Sequence, residues 1–373
     1  MNVHESDRMT AQLEAAGHKR TDTDSDAQII IYNTCCIRNT AEQKIISHIG
    51  EAGKLKKKNP DIIVCVVGCL SQRLGSAAAL RQKFPFIDII LGTHNIDNLV
   101  GAIEKVLKNK KKVIEILEQR LSNGGLVHTH PQGDVSYVNI TYGCENFCAY
   151  CIVPFVRGKL ICRDIADIEA EFKQIINTNP GKTIFLLGQN VNSYICPRTG
   201  TDFVGLIDKL CAIPGDFKLN FLSSHPKDFS VRLVDAIARN PKVERNIHLP
   251  LQSGCDKILA LMNRGYTVAE YIKKINYLRA RVPDVHITTD IICGFPTETE
   301  ADFKKTIETI RQIKFNAAFI FPYSRRSGTQ ADKMDGQVDI ATKKRRATEL
   351  IRIQREISRF LVPVTTNETN EEL

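Results

Sequence analysis

The stretch Gly143-Cys144-Glu145-Asn146-Phe147-Cys148-Ala149-Tyr150-Cys151 places three cysteines at C-x3-C-x2-C spacing, directly after an apolar run. Three thiolates so spaced can hold three irons of a 4Fe-4S cluster, whereas an electron-transfer cluster takes four cysteines. One iron is then open to a ligand from outside the protein. Zinc sites show two C-x2-4-C pairs, or cysteines with histidines, at wider separation, and no fourth Cys or His lies close by in the chain. Phe147, Tyr150 and the run Cys151-Ile152-Val153-Pro154 offer the apolar wrapping that shields a cluster from water and oxygen. The spacing therefore predicts a cluster on Cys144, Cys148 and Cys151, with a zinc site, a disulfide knot or small buried hydrophobes as the alternatives.

A second cysteine set lies nearer the N-terminus. Cys35 ends a strand-like run at 28–32, and Cys69 ends another at 61–67. In a parallel sheet both emerge at the carboxyl edge, where ligands bind. Two thiolates are too few for a cluster, so this site is incomplete on its own. Cys36 and Cys65 lie close by, and Cys65, between Val64 and Val66, reads as a core residue.

The elements that must position these cysteines are strands alternating with helices. Residues 1–117 carry strand-like runs at 28–32, 61–67 and 86–91, which predict a small parallel α/β domain. Residues 118–134, rich in Gly, Pro and polar residues, read as a linker. A second unit, 135–361, carries runs at 137–141, 183–187, 219–222, 246–249, 286–292 and 317–321, intervals that fit a partial βα-repeat barrel. Its distinctive loops all follow strands: the three cysteines, then Gly188-Gln189-Asn190, Ser223-Ser224-His225-Pro226, Pro250-Leu251-Gln252-Ser253-Gly254 and Cys293-Gly294-Phe295-Pro296. In such barrels chemistry sits at the carboxyl ends of the strands. A last helix is expected over 340–361, with Leu350, Ile353, Ile357 and Phe360 on one stripe, followed by a polar tail at 362–373.

Composition narrows the function classes. The chain has 373 residues, a formal net charge of +9 and twelve cysteines. No apolar run approaches membrane-spanning length, and the polar, acidic start Met1-Asn2-Val3-His4-Glu5-Ser6-Asp7 is unlike a signal or transit peptide. Cysteine-rich chains without export signals point to metal or catalysis in a reducing compartment, most simply the cytoplasm. Lys and Arg cluster at 54–58, 105–112 and 343–359. A basic surface favours a polyanion such as nucleic acid, although each cluster taken alone reads as a solvated helix face.

The chain resembles the methylthiotransferases, radical S-adenosylmethionine enzymes with an auxiliary 4Fe-4S cluster in an N-terminal domain, and most of all their MiaB-type tRNA branch. The resemblance covers about 1–360. Matching segments are Met1 to Asp7, Asn33-Thr34-Cys35-Cys36-Ile37-Arg38, Gly68-Cys69-Leu70-Ser71-Gln72, Gly92-Thr93-His94-Asn95 and Tyr142 to Pro154. Others are Leu187 to Tyr194, His248 to Gly254, Met262-Asn263-Arg264-Gly265-Tyr266-Thr267 and Tyr323-Ser324-Arg325. The chain departs from the family in three places. The family carries a Gly-Cys-Gln immediately before Met-Asn, which supplies the first auxiliary ligand, so the resemblance implies a chain short of that cysteine and its strand. The family also ends in an RNA-binding TRAM β-barrel, expected to be missing here. Leu160 and Cys162 stand near positions where the family usually has Glu and Ser.

The resemblance implies transfer of a methylthio group to carbon 2 of N6-isoprenyladenosine at position 37 of tRNA, a C–H bond that only radical chemistry opens. Its cofactors are S-adenosylmethionine and two 4Fe-4S clusters, with Cys144, Cys148 and Cys151 on one and Cys35 and Cys69 on the other. Gly188, Gln189, Asn190 and Gly294 are the implied cofactor contacts, and His225 and His248 candidate substrate-pocket residues. Implied partners are the tRNA anticodon loop and a one-electron donor of the flavodoxin or ferredoxin type, to a monomeric enzyme. Two other readings stay open: a sister methylthiotransferase acting on threonylcarbamoyl-adenosine or a ribosomal protein, and an inactive fragment keeping only the radical core.

Overall fold

The structure, a computed structural model, describes residues 1–36, 39–120, 134–178 and 181–361. Most of the expected linker and the polar tail lie outside the described residues. The chain forms two compact units, one of Met1–Phe147 with Cys151–Leu222, the other of Cys148–Tyr150 with the residues from Ser223 on.

The first unit holds a four-stranded parallel sheet in the order β1-β2-β3-β4, of β1 Ile29–Thr34, β2 Ile63–Gly68, β3 Ile89–Leu91 and β4 Val113–Glu115. Helices on both faces explain why β2 reads as an unbroken apolar run. Ile63, Cys65 and Val67 face one core with Met9, Leu99 and Ile103, while Val64 and Val66 face another with Ile49, Leu70 and Leu80. Cys65 is thus a core residue, as its neighbours suggested. The sequence reading missed β4, a three-residue edge strand behind a run of lysines, too short for periodicity to register.

The same unit contains a parallel sheet in the order β5-β8-β9, formed by β5 Val135–Asn139, β8 Lys182–Leu187 and β9 Phe217–Phe221. Between β5 and β8 a short antiparallel pair, β6 Thr141–Tyr142 and β7 Ile161–Cys162, ties together the two ends of the segment that carries the three cysteines. The first unit is also tied internally by a buried polar network. Asn139 Nδ2 and Arg8 Nη1 donate to Glu5 at 3.1 and 3.2 Å, and Arg8 Nη2 donates to Asp97 at 2.7 Å. Burial alone raises the Glu5 pKa, but Arg8, His4, Arg120 and Arg157 outweigh it and hold the carboxyl below its ordinary range.

The second unit holds the parallel sheet β10-β11-β12, of β10 Asn246–His248, β11 His286–Cys293 and β12 Ala317–Pro322. Its helices start where sequence caps them: Thr267 and Glu270 form a capping box for Val268–Arg281, and Thr299 and Asp302 one for Glu300–Ile313. On β11, Ile287, Thr289, Ile291 and Cys293 are buried while the alternate residues are more open. The last helix spans Ile340–Leu361, as expected, but only part of its stripe packs. Leu350 and Ile353 are buried, whereas Phe360 is exposed. Ser358 donates to the carbonyl of Asn316, one residue before β12, so the helix passes the end of the sheet there and Phe360 has none of it left to cover.

Candidate active site

At the edge of the first sheet, Thr34 of β1 pairs with Gly68 of β2, which sets Cys35 and Cys69 side by side just past the strands. Gly68 adopts φ +102, and a Cβ there would lie 2.7 Å from the Thr34 carbonyl, so glycine is what lets the chain turn into Cys69. Cys69 is buried in a cluster with Cys36, Ile152 and Val156. A hydrogen bond from the Cys36 thiol pulls the Cys69 pKa down, and Arg157 adds to this against the effect of burial. The same contact, with burial, pushes the Cys36 thiol up. Cys36 and Arg157 therefore join this site, which the sequence reading placed on Cys35 and Cys69. Arg157 also donates to Asn2 Oδ1 at 3.1 Å, tying the guanidinium to the helix Asn2–Ala15.

The three-cysteine loop begins from Gly143, whose φ is +73 and whose added Cβ would meet the Lys159 carbonyl at 2.0 Å. Cys144 N donates to the Gly158 carbonyl at 3.2 Å. Ile152 and Val153 are buried behind the loop, while Phe147 and Phe155 are half-exposed and stack edge to face at 6.3 Å. In the second unit, Ala149 donates to the Met262 carbonyl and accepts from Ala331, fixing the short segment that carries Cys148.

Cys148 is the most buried of the three. Arg264 Nη1 donates to its Sγ at 3.2 Å, and His225 Nε2 lies 3.9 Å away. His225 Nδ1 accepts from the Lys227 backbone at 3.2 Å, which leaves the ring proton on Nε2, facing the sulfur. Burial, then the charges of Arg264, Lys227 and Lys274, push the His225 pKa down to about 2, so the ring is neutral. His225 thus lies against a cysteine rather than on an open face. His248, by contrast, sits on the more open face of β10-β11-β12. Its Nδ1 is 2.9 Å from Thr288 Oγ1 and its Nε2 3.4 Å from Asp290 Oδ2, with the Phe319 ring, 53% exposed, beside it.

The implied cofactor contacts occupy different settings. A Cβ on Gly188 would lie 2.1 Å from Thr141 Oγ1, so backbone and strand approach closely there. Gln189 Nε2 donates to Met1 Sδ, and Asn190 Nδ2 donates to Ser193 Oγ. Gly294 N donates to Glu298 at 2.6 Å, and its φ of +69 brings it against Lys343.

Among the described residues, no three His, Cys, Asp or Glu side chains form a ready metal-holding group. The donor chemistry nevertheless fits a thiolate-bound cluster with a polar cofactor. Cys148 and Cys69 are buried thiols with a guanidinium beside each; for Cys69 the Cys36 thiol and Arg157 favour the thiolate. Asn139 Oδ1, Thr141 Oγ1 and Gln189 Oε1, at the carboxyl ends of the first unit's strands, are buried oxygens without a hydrogen-bond partner among the described residues. Such acceptors suit a ligand with donors, such as an amine.

Comparison with known proteins agrees with this chemistry. The profile of the Radical SAM superfamily matches residues 138–310, and that of the Uncharacterized protein family UPF0004 matches residues 1–92. Among solved structures, the radical S-adenosylmethionine methyltransferase TsrM from Kitasatospora setae, with cobalamin and a [4Fe-4S] cluster bound, superposes with a TM-score of 0.66. It covers 88% of this chain and 74% of its own at 13% identity, a likeness of fold. Fold and cysteine loop together define a radical S-adenosylmethionine enzyme, whose cofactors are a 4Fe-4S cluster and S-adenosylmethionine.

The tRNA-2-methylthio-N(6)-dimethylallyladenosine synthase of Pelotomaculum thermopropionicum is 42% identical over 364 residues, covering 96% of this chain and 80% of its own. That of Moorella thermoacetica is 41% identical over 363 residues, covering 96% and 81%. The chain belongs to this family of radical methylthiotransferases. Arg157 and Arg264 escape the sequence reading, because nothing local marks an arginine as the partner of a distant thiol, whereas Cys36 is already legible there as lying close to Cys35 and Cys69.

Proposed function

We propose that this enzyme transfers a methylthio group to carbon 2 of N6-isoprenyladenosine at position 37 of tRNA, with Cys144, Cys148 and Cys151 holding the cluster. The observation that carries this reading is the buried Cys148 with the Arg264 guanidinium on its sulfur, inside a C-x3-C-x2-C loop. When bound, the cluster supplies an electron to S-adenosylmethionine, and so the radical chemistry that an unactivated C–H bond requires. The chain's own residues bind, orient and exclude water. Asn139, Thr141 and Gln189 offer acceptors to the cofactor, and Gly188 keeps the strand end free of a side chain. Cys35 and Cys69, with Cys36, are the thiols of a second cluster, where the sulfur to be transferred is handled.

His248, Asp290 and Phe319 form the face that receives the base: an exposed ring to stack on, with hydrogen-bonding groups beside it. An adenosine in the anticodon loop reaches such a face by being splayed out, without melting a duplex. A flavodoxin or ferredoxin type of donor supplies electrons to a cytoplasmic monomer. No described helix is long and apolar enough to cross a membrane.

The test is anaerobic reconstitution, then incubation with S-adenosylmethionine, a reductant and isoprenylated tRNA, with nucleosides read by mass spectrometry. The methylthio nucleoside is expected. Cofactor cleavage without that product on this tRNA, with both clusters loaded, overturns the substrate assignment.

A further inference from the structure

Arg264 is nearly fully buried, and its three nitrogens are all engaged. Nη1 donates to Cys148 Sγ at 3.2 Å, Nη2 to the Pro250 carbonyl at 3.1 Å and Nε to Tyr266 Oη at 3.1 Å. Tyr266 Oη in turn donates to the Leu251 carbonyl at 2.7 Å. The planar fork is thereby held in one orientation, aimed at the sulfur. Among the described residues Arg264 forms no ion pair with a carboxylate. A buried guanidinium without a countercharge is costly, and the group it faces is a cysteine read as a cluster ligand. Neutral His225 lies on the same sulfur from a second side.

We infer that Arg264 is a positioning residue that sets the reduction potential of the 4Fe-4S cluster through Cys148, an inference that rests on the ligand reading above. A cluster held by thiolates is anionic and gains a further negative charge on reduction. A fixed cation hydrogen-bonded to a ligating sulfur stabilises the reduced form more than the oxidised one, and raises the potential. The low dielectric around a buried guanidinium strengthens the effect. S-adenosylmethionine cleavage begins with this electron, so Arg264 governs how readily a biological donor can load it.

The experiment is a potentiometric titration of the anaerobically reconstituted full chain, followed by EPR of the signal that changes on adding S-adenosylmethionine. Wild type, Arg264→Lys, Arg264→Gln and Cys148→Ser are compared, with iron and sulfide measured for each. The midpoint is expected to fall in Arg264→Gln, and by less in Arg264→Lys, which keeps a charge but loses the fork. If Arg264→Gln does not load iron, the lysine variant alone carries the test. A midpoint at the wild-type value in every loaded arginine variant, or failure of both to load iron, makes Arg264 a structural residue and overturns the inference. Cys148→Ser should lose the responsive signal. If it keeps that signal, the ligand reading itself fails, whatever the arginine variants do.

Discussion

At the scale of single residues, this protein places fixed charges where a titrating or ligating group needs one. Asp164 shows the simplest case: Arg198 grips its carboxylate with Nη2 at 2.6 Å and with Nε, and Ala166 N donates at 2.9 Å. The Arg198 hydrogen bond, followed by the Ala166 amide and Arg198's charge, outweighs burial and holds its pKa at about 2. A carboxylate depressed in the folded state stabilises above its unfolded pKa of about 4, and that contribution fades as pH falls toward about 2. Denaturant midpoints of wild type and Asp164→Asn should therefore differ at neutral pH and converge between about pH 4 and 2; a gap independent of pH would refute the assignment. The Glu298–Arg346 pair, 2.7 Å apart with both side chains buried, behaves differently. Arg346→Met strands a carboxylate in the interior and should cost roughly 3 kcal/mol in urea unfolding, whereas a loss well under 1 kcal/mol would mean the site is wetter than its burial implies.

At the scale of elements, the loop that carries the cysteines depends on its first turn. Gly143 has a left-handed φ, and any Cβ collides with backbone carbonyls of the return segment. Gly143→Ala should store about 1–3 kcal/mol of strain and lower iron and sulfide per chain while circular dichroism stays native. Unchanged iron loading would show that the loop relaxes freely. The face of β10-β11-β12 yields a second prediction. Phe319→Leu keeps an apolar residue but removes a stacking surface worth about 1–3 kcal/mol per base, so substrate KM should rise roughly tenfold while cofactor cleavage without tRNA is unaffected. Phe319→Tyr should restore the KM. Equal KM values in the leucine variant would place the base elsewhere.

At the scale of the whole molecule, the formal charge of +9 is what remains after every acidic side chain is set against a basic one, and it invites a polyanion. Lys54 pairs with Glu51, Lys56 with Asp88, Lys105 with Glu115, and Arg345 and Arg346 with Glu300 and Glu298. The basic runs are thus only partly paired, and exposed lysines outside these pairs, among them Lys57, Lys58, Lys108, Lys111 and Lys344, remain for phosphate. Binding of tRNA should weaken with salt with a log–log slope of about 0.7–0.9 per phosphate contact, and several such contacts are expected. A fluorescence titration at several salt concentrations reads this, and a slope near zero would rule out a phosphate track on these lysines.

The sequence by itself determined the parts of this protein that are local in the chain. The C-x3-C-x2-C loop is one, because its spacing is covalent. The positions of the strands are another, because alternation and apolar runs register within a few residues; β4 was too short to do so. The burial of Cys65 was legible from its two valine neighbours, but the exposure of Phe360 was not, since the stripe continues past the end of the sheet it packs on. Only the tertiary structure decided which charge meets which thiol. Arg264 is 116 residues from Cys148, and Arg157 reaches Cys69 from another segment altogether. Such pairs form because packing brings strand ends and loops together, and a desolvated charge must find its partner there.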